Sequence, residues 1–205
     1  MLLGKILLVL FSLLSLVTSV GLLSSLSQIF RRGVSANSLL FALGMGLYAL
    51  VSWIRGLDTL YTFEHEFVHA LASIVQGGKL RSFQVTLGGS GQVVLTKGNL
   101  FVSLAPYFVP LFSLIVYGLS TALTAPLHSL GVALAGFLYL SFLRNVLSAL
   151  GVAQPDLTRS EQRFPLFIKH LMILGGNLCF AALWLSLVQG YPFWQIVQAG
   201  WALLL

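Results

Sequence analysis

The chain is poor in charge. Only 8 % of its 205 residues are Asp, Glu, Lys or Arg, while 58 % are hydrophobic and the mean hydropathy is +0.95. A soluble domain carries about 25 % charged residues. So little charge cannot cover a water-facing surface, which excludes both a disordered chain and an ordinary cytosolic globule. Cysteine is nearly absent: the single Cys179 permits no internal disulfide and no cysteine-based zinc cluster. Acids are scarcer than bases, five against eleven, for a net charge of +6. In a soluble protein that excess would point to nucleic acid. Here the basic residues sit in short segments between apolar runs, which is the positive-inside pattern of a membrane protein, and no nucleic-acid partner is assigned. Internal repeats and low-complexity linkers are also missing, so residues 1–205 read as a single domain.

What is present is apolar sequence in long runs. Six are counted as spans: Leu2–Leu26, Ser38–Ile54, Leu57–Val75, Leu100–Leu123, His128–Val152 and Phe167–Val188. The first is read as a retained span, because Val17-Thr18-Ser19 is a poor cleavage site and Arg31-Arg32 follows it. Pro106 and Pro110 are expected to kink the fourth. The tail Phe193–Leu205 is too short to span and is expected at the interface, with Trp194 and Trp201. Between the third and fourth runs the texture changes. Lys79–Leu87 alternates apolar with polar, Gly88-Gly89-Ser90-Gly91 is a turn cluster, and Gln92–Lys97 is rich in strand formers. This predicts a membrane-associated β-hairpin over about 79–97. The expected fold is therefore an all-α polytopic membrane protein with about six transmembrane helices and one hairpin. With six spans, one side collects Arg31, Arg32, Lys79, Arg81, Lys97, Arg159, Arg163 and Lys169, and the other only Lys5 and Arg55. That division predicts a cytoplasmic hairpin and both termini outside.

The chemistry sits in the third run. His65-Glu66-Phe67-Val68-His69 is an H-E-x-x-H motif. On a helix, positions i and i+4 share a face, so both imidazoles can hold one metal ion, and Glu66 is placed to take a proton from an attacking water. Neutral imidazoles completed by an acidic ligand suit zinc. Ionisable residues within one apolar span are costly, by about 2.5–3.5 kcal/mol each on insertion scales. The alternative, polar packing between helices, explains the cost less well than a site does. Five acids are available for the third ligand. Glu66 is the base, Glu64 points about 100° away on the helix, and Asp58 lies about two turns earlier. Asp156 and Glu161 remain, with Asp156 favoured. Arg144 is expected to pair with Glu64 or to reach the interface.

Phe63-Glu64-His65-Glu66-Phe67-Val68-His69-Ala70-Leu71-Ala72, then Gly77-Gly78, resembles the site-2 protease group of zinc metalloproteases, the M50 peptidases, and most of all the small M50B-like branch. Ala105-Pro106 is similar to that family's small-residue and proline segment. The resemblance implies an Asp ligand on a later, locally broken helix. Gln154-Pro155-Asp156-Leu157 supplies the Asp, without the family's usual Asn and Gly.

These features predict a zinc-dependent intramembrane metalloendopeptidase, with one zinc per chain held by His65, His69 and Asp156 and with Glu66 as general base. The substrate is a membrane protein cut in or beside a transmembrane segment. The expected location is a bacterial-type plasma membrane, with the site towards the cytoplasmic half. The hairpin, through Val85 and Val93, and Asn177 are candidates for holding substrate. Two rival readings are a catalytically silent scaffold or chaperone of the same fold, and an ion-conducting transporter.

Overall fold

A computed structural model describes residues 2–31, 33–52, 58–150 and 166–204. The elements are α1 (Leu2–Arg31), α2 (Ala36–Ser52), α3 (Asp58–Val75), β1 (Leu80–Val85), β2 (Gly91–Leu95), α4 (Leu100–Leu104), a 3₁₀ turn (Ala105–Tyr107), α5 (Leu111–Ser120), α6 (Ala125–Leu150), α7 (Leu166–Gln189) and α8 (Phe193–Leu204). Among the described residues, α1 through its Val9–Leu26 stretch, α6 and α7 are long and apolar enough to cross a membrane. The pair α4–α5, bent by 63° around Pro110, makes a fourth if taken as one broken span. Large apolar side chains face outward along these helices, Leu23, Leu147 and Leu174 among them. Such a surface suits lipid and not water. The chain is an integral membrane protein.

Six spans are not what the helices display. At 17 residues α2 is about 25 Å long, short of a hydrocarbon core of about 30 Å. Helix directions carry the correction further. Ser15 lies beside Gly175, Thr18 beside Cys179, and Tyr191 donates to Gln28, so α1 and α7 run parallel. The start of α2 is tied to the end of α7 by the Ser38 hydroxyl on Gln189, and Arg144 of α6 donates to Tyr48 of α2 at 3.3 Å. The start of α6 meets the end of α5 through Ser120 and His128, and Tyr117 of α5 donates to the Leu187 carbonyl. Hence α2 and α6 are parallel too. Six alternating spans require both pairs to be antiparallel. The parallel directions of α2 and α6 do not fit the two crossings that counting apolar runs placed between them. Run counting cannot register that α3 and α4–α5 lie side by side as one unit.

Two helix seams are made of backbone against backbone. A methyl on Gly44 would overlap the Ala133 carbonyl, and one on Gly136 would overlap that of Phe41, so α2 and α6 touch without intervening side chains. Gly21 and Gly200 do the same for α1 and α8, with Ile196 and Val17 carbonyls as the obstacles. Small residues allow this approach in lipid, where packing rather than water expulsion drives association. The tail helix α8 is thus fastened along α1, with Trp194 and Trp201 exposed.

The predicted hairpin is present. Strands β1 and β2 pair antiparallel, with Phe83 opposite Val93 and Val85 opposite Gly91, and with one irregularity near Arg81. It folds back along α3. Thr59 and Thr62 donate to the Leu87 and Gly89 carbonyls at 2.8 Å each, fixing the tip. At the base, Ser73 donates to the Lys97 carbonyl at 2.8 Å. The reversal follows from a Schellman end to α3: Gly77 takes φ +76°, its N–H bonds Ile74, and the Gly78 N–H bonds Ser73.

Candidate active site

Helix α3 buries Val68 and Ala72 against Leu100, Val102 and the end of α6, and this sets which face its polar residues show. His65 and His69 come out on one side, their rings 4.8 Å apart and nearly perpendicular. His69 is buried, and its Nδ1 lies 2.7 Å from the Val102 carbonyl oxygen. A carbonyl only accepts, so Nδ1 carries the proton and Nε2 is the lone-pair nitrogen of the neutral ring. The Nδ1 of His65 lies 3.3 Å from the Tyr61 hydroxyl, one turn back on the same helix. The ring of Tyr107 stands edge-on to His65 at 5.1 Å. Imidazoles anchored through Nδ1 are the usual state of metal-ligating histidines. The donor chemistry of the pair therefore fits zinc.

Glu66 faces the hairpin. A methyl added to Gly91 would sit 2.6 Å from the Thr62 methyl, 2.8 Å from Glu66 Cγ and 3.2 Å from its Oε1, so only a bare backbone passes this point. Around these groups lies a cavity of about 800 Å³, walled by α3, β2, the segment Gly98–Tyr107 and Ala149 of α6. A volume of that size holds a short stretch of peptide or a drug-sized ligand.

His65, Glu66 and His69 thus converge on one cavity, and Val93 lines it as well. Val85 belongs to β1, and the strand residues in the wall all come from β2. Asn177 stands behind the wall: its amide donates to the Tyr107 and Ile173 carbonyls, both at 2.8 Å, which ties α7 to the 3₁₀ turn. Asp156 and its competitor Glu161 lie outside the described residues. Among those described, no cluster of three His, Cys, Asp or Glu side chains forms. Glu64 is buried, and its carboxylate accepts the Phe112 N–H at 2.8 Å, capping α5 where Pro110 offers no side-chain cap. Arg144 turns to Tyr48 rather than to Glu64. Tyr61, Tyr107, Gly91 and the Val102 carbonyl were not singled out from sequence. Only Tyr61 carried a legible signal, its i−4 spacing from His65.

No curated protein and no solved structure matches the chain. The family model described as Peptidase M50B-like matches residues 39–154, more than half of the chain, from early in α2 to just beyond α6. It takes in the whole of α3, the hairpin and the cavity wall and stops two residues short of Asp156. On that match the chain belongs to the Peptidase M50B-like family.

Proposed function

We propose that this protein is a zinc-dependent endopeptidase that hydrolyses a peptide bond in or next to a transmembrane segment of a membrane-protein substrate. The observation that carries the reading is the convergence of His65, Glu66 and His69 on one cavity bounded by a strand edge. His65 and His69 hold the metal together with Asp156. Zinc, when bound there, supplies the Lewis acidity that polarises the scissile carbonyl. Glu66 takes a proton from the attacking water and delivers it to the leaving amine, so the peptide bond is replaced by a carboxyl and an amine.

The hairpin supplies the other requirement. A helical substrate hides its carbonyls in hydrogen bonds and has to be unwound. The Thr86 N–H donates to the Ser90 carbonyl, which makes 86 and 90 a hydrogen-bonded pair. Pairs alternate along an antiparallel ladder, so Gly91 and Val93 turn their N–H and C=O groups away from β1, on the strand that lines the cavity. An extended substrate adds to β2 along that edge, beside Glu66.

Helix directions favour one orientation. The end of α6, the start of α7 and, by its packing with Val146 and Ala149, the start of α4 share a side. In sequence, the segments on that side hold Lys5, Arg55, Lys79, Arg81, Lys97, Arg159, Arg163 and Lys169, and the other side holds Arg31 and Arg32. The hairpin base is therefore cytoplasmic, as is the N-terminus, in a bacterial-type plasma membrane, with the site in the cytoplasmic half. Cysteines placed at Ser90 and Ser35 should label from opposite faces of the membrane; labelling from the same face returns the six-span scheme.

The deciding experiment is cleavage of a single-span membrane substrate by the parent and by Glu66→Gln, with zinc content measured in both. Retained zinc with cleavage slowed by about 10²–10⁴-fold supports the reading. Equal cleavage by the two removes Glu66 as the base. A parent that holds zinc and never cleaves is a scaffold.

A further inference from the structure

The two histidines are oriented by different means, and the cause of one lies in a proline. In a helix the carbonyl of residue i is taken by the N–H of residue i+4. For Val102 that residue is Pro106, which has no N–H. The next available donor, the Ala105 N–H, bonds the Phe101 carbonyl instead. The helix therefore ends at Leu104, the chain tightens into the 3₁₀ turn Ala105–Tyr107, and the Val102 oxygen has no donor from its own helix. It lies in the buried core, where an unmet carbonyl costs about 1–3 kcal/mol, and His69 Nδ1 meets it at 2.7 Å. Asn99 holds the turn in register: its side chain accepts the Val102 N–H at 3.0 Å and donates to Gln76 at the end of α3. His65 is met by a side chain. Its Nδ1 faces the Tyr61 hydroxyl, which can donate or accept.

We infer that Pro106 and Tyr61 are positioning residues that hold both imidazoles in the tautomer that ligates through Nε2: Pro106 by leaving the Val102 carbonyl to His69, and Tyr61 by accepting the Nδ1–H of His65. Neither touches the reacting atoms. Each acts through the ring it anchors, and each should appear in metal affinity before it appears in anything else. The inference rests on the zinc reading above.

The test is zinc affinity, measured by competition with a chromophoric chelator on purified full-length protein in detergent, for the parent, Tyr61→Phe, Pro106→Ala and His65→Ala. Thermal unfolding is followed in parallel. Tyr61→Phe keeps the ring and removes the acceptor, so its zinc affinity falls about 10–100-fold while the unfolding midpoint stays near that of the parent. Pro106→Ala returns an N–H that competes for the Val102 oxygen, and its affinity falls by a similar factor. His65→Ala sets the scale of full loss. Tyr61→Phe at parental affinity overturns the role of Tyr61, and a folded Pro106→Ala at parental affinity overturns that of Pro106. Should Pro106→Ala fail to fold, Tyr61→Phe still decides. A parent that takes up no zinc overturns the zinc reading itself, an outcome distinct from tight parental binding with unchanged variants.

Discussion

Along α3 the contacts that hold the structure are polar and span at most 28 positions: Thr59 and Thr62 grip the hairpin tip, Ser73 its base, and Tyr61 meets His65 one turn away. At the α2–α6 crossing they are apolar and farther apart in sequence, backbone laid on backbone at Gly44 and Gly136, and the Arg144–Tyr48 hydrogen bond lies beyond the crossing. The first region contains ionisable groups that lipid would reject and encloses them with a strand. The second has none at its crossing and needs only that nothing protrude. The candidate site is thus built largely on one helix and its hairpin, while the α2–α6 seam is a part of the scaffold whose tolerance is set by steric fit.

The comparison breaks if the two regions fail to respond separately. The largest effect is expected at the motif. His65→Ala should abolish zinc binding and cleavage together, and Glu66→Gln should lose about 10²–10⁴-fold in cleavage with zinc retained, both with little change in unfolding measured in the presence of a chelator. At the seam, Gly136→Leu drives a side chain into the Phe41 carbonyl. It should lower stability by about 3 kcal/mol in detergent unfolding while zinc per folded molecule stays constant. A seam variant that lost zinc without losing stability would show that the regions are coupled. Gly91→Ala probes the border between strand and base. It should slow cleavage by about 10- to 100-fold through displacement of Glu66, with zinc affinity unchanged. Smallest is Thr59→Val, which removes one exposed bond to the Leu87 carbonyl. It should cost about 1 kcal/mol, seen as faster amide exchange in β2 and not elsewhere.

The helix face of the candidate site was more legible in the sequence than the topology was, while Asp156 lies outside the described residues. His65, Glu66 and His69 are bound by helical periodicity, a local rule, and the alternation of Lys79–Leu87 around a glycine turn announced the hairpin for the same reason. The orientation depended on a global count, and charge offered no check on it. Six alternating spans and the observed helix directions divide the same ten basic residues eight to two; they differ only in exchanging Arg31 and Arg32 for Lys5 and Arg55. The expected Arg144–Glu64 pair failed similarly. Glu64 caps α5, a helix end created by Pro110, and nothing in the α3 sequence reveals which N–H comes to rest beside it.

By itself, then, the sequence determined a membrane protein of the Peptidase M50B-like family with a histidine pair on one helix face, because composition and i, i+4 spacing act through short-range physics that survives without knowledge of the fold. Tertiary structure alone decided that α1 parallels α7 and α2 parallels α6, that β2 rather than β1 walls the cavity, and that the Val102 carbonyl meets His69. Each of those joins residues tens of positions apart through backbone groups. Every residue carries the same C=O and every residue but proline the same N–H, so side-chain identity seldom says which of them will meet; Pro106, by withholding an N–H from the Val102 carbonyl, is the exception.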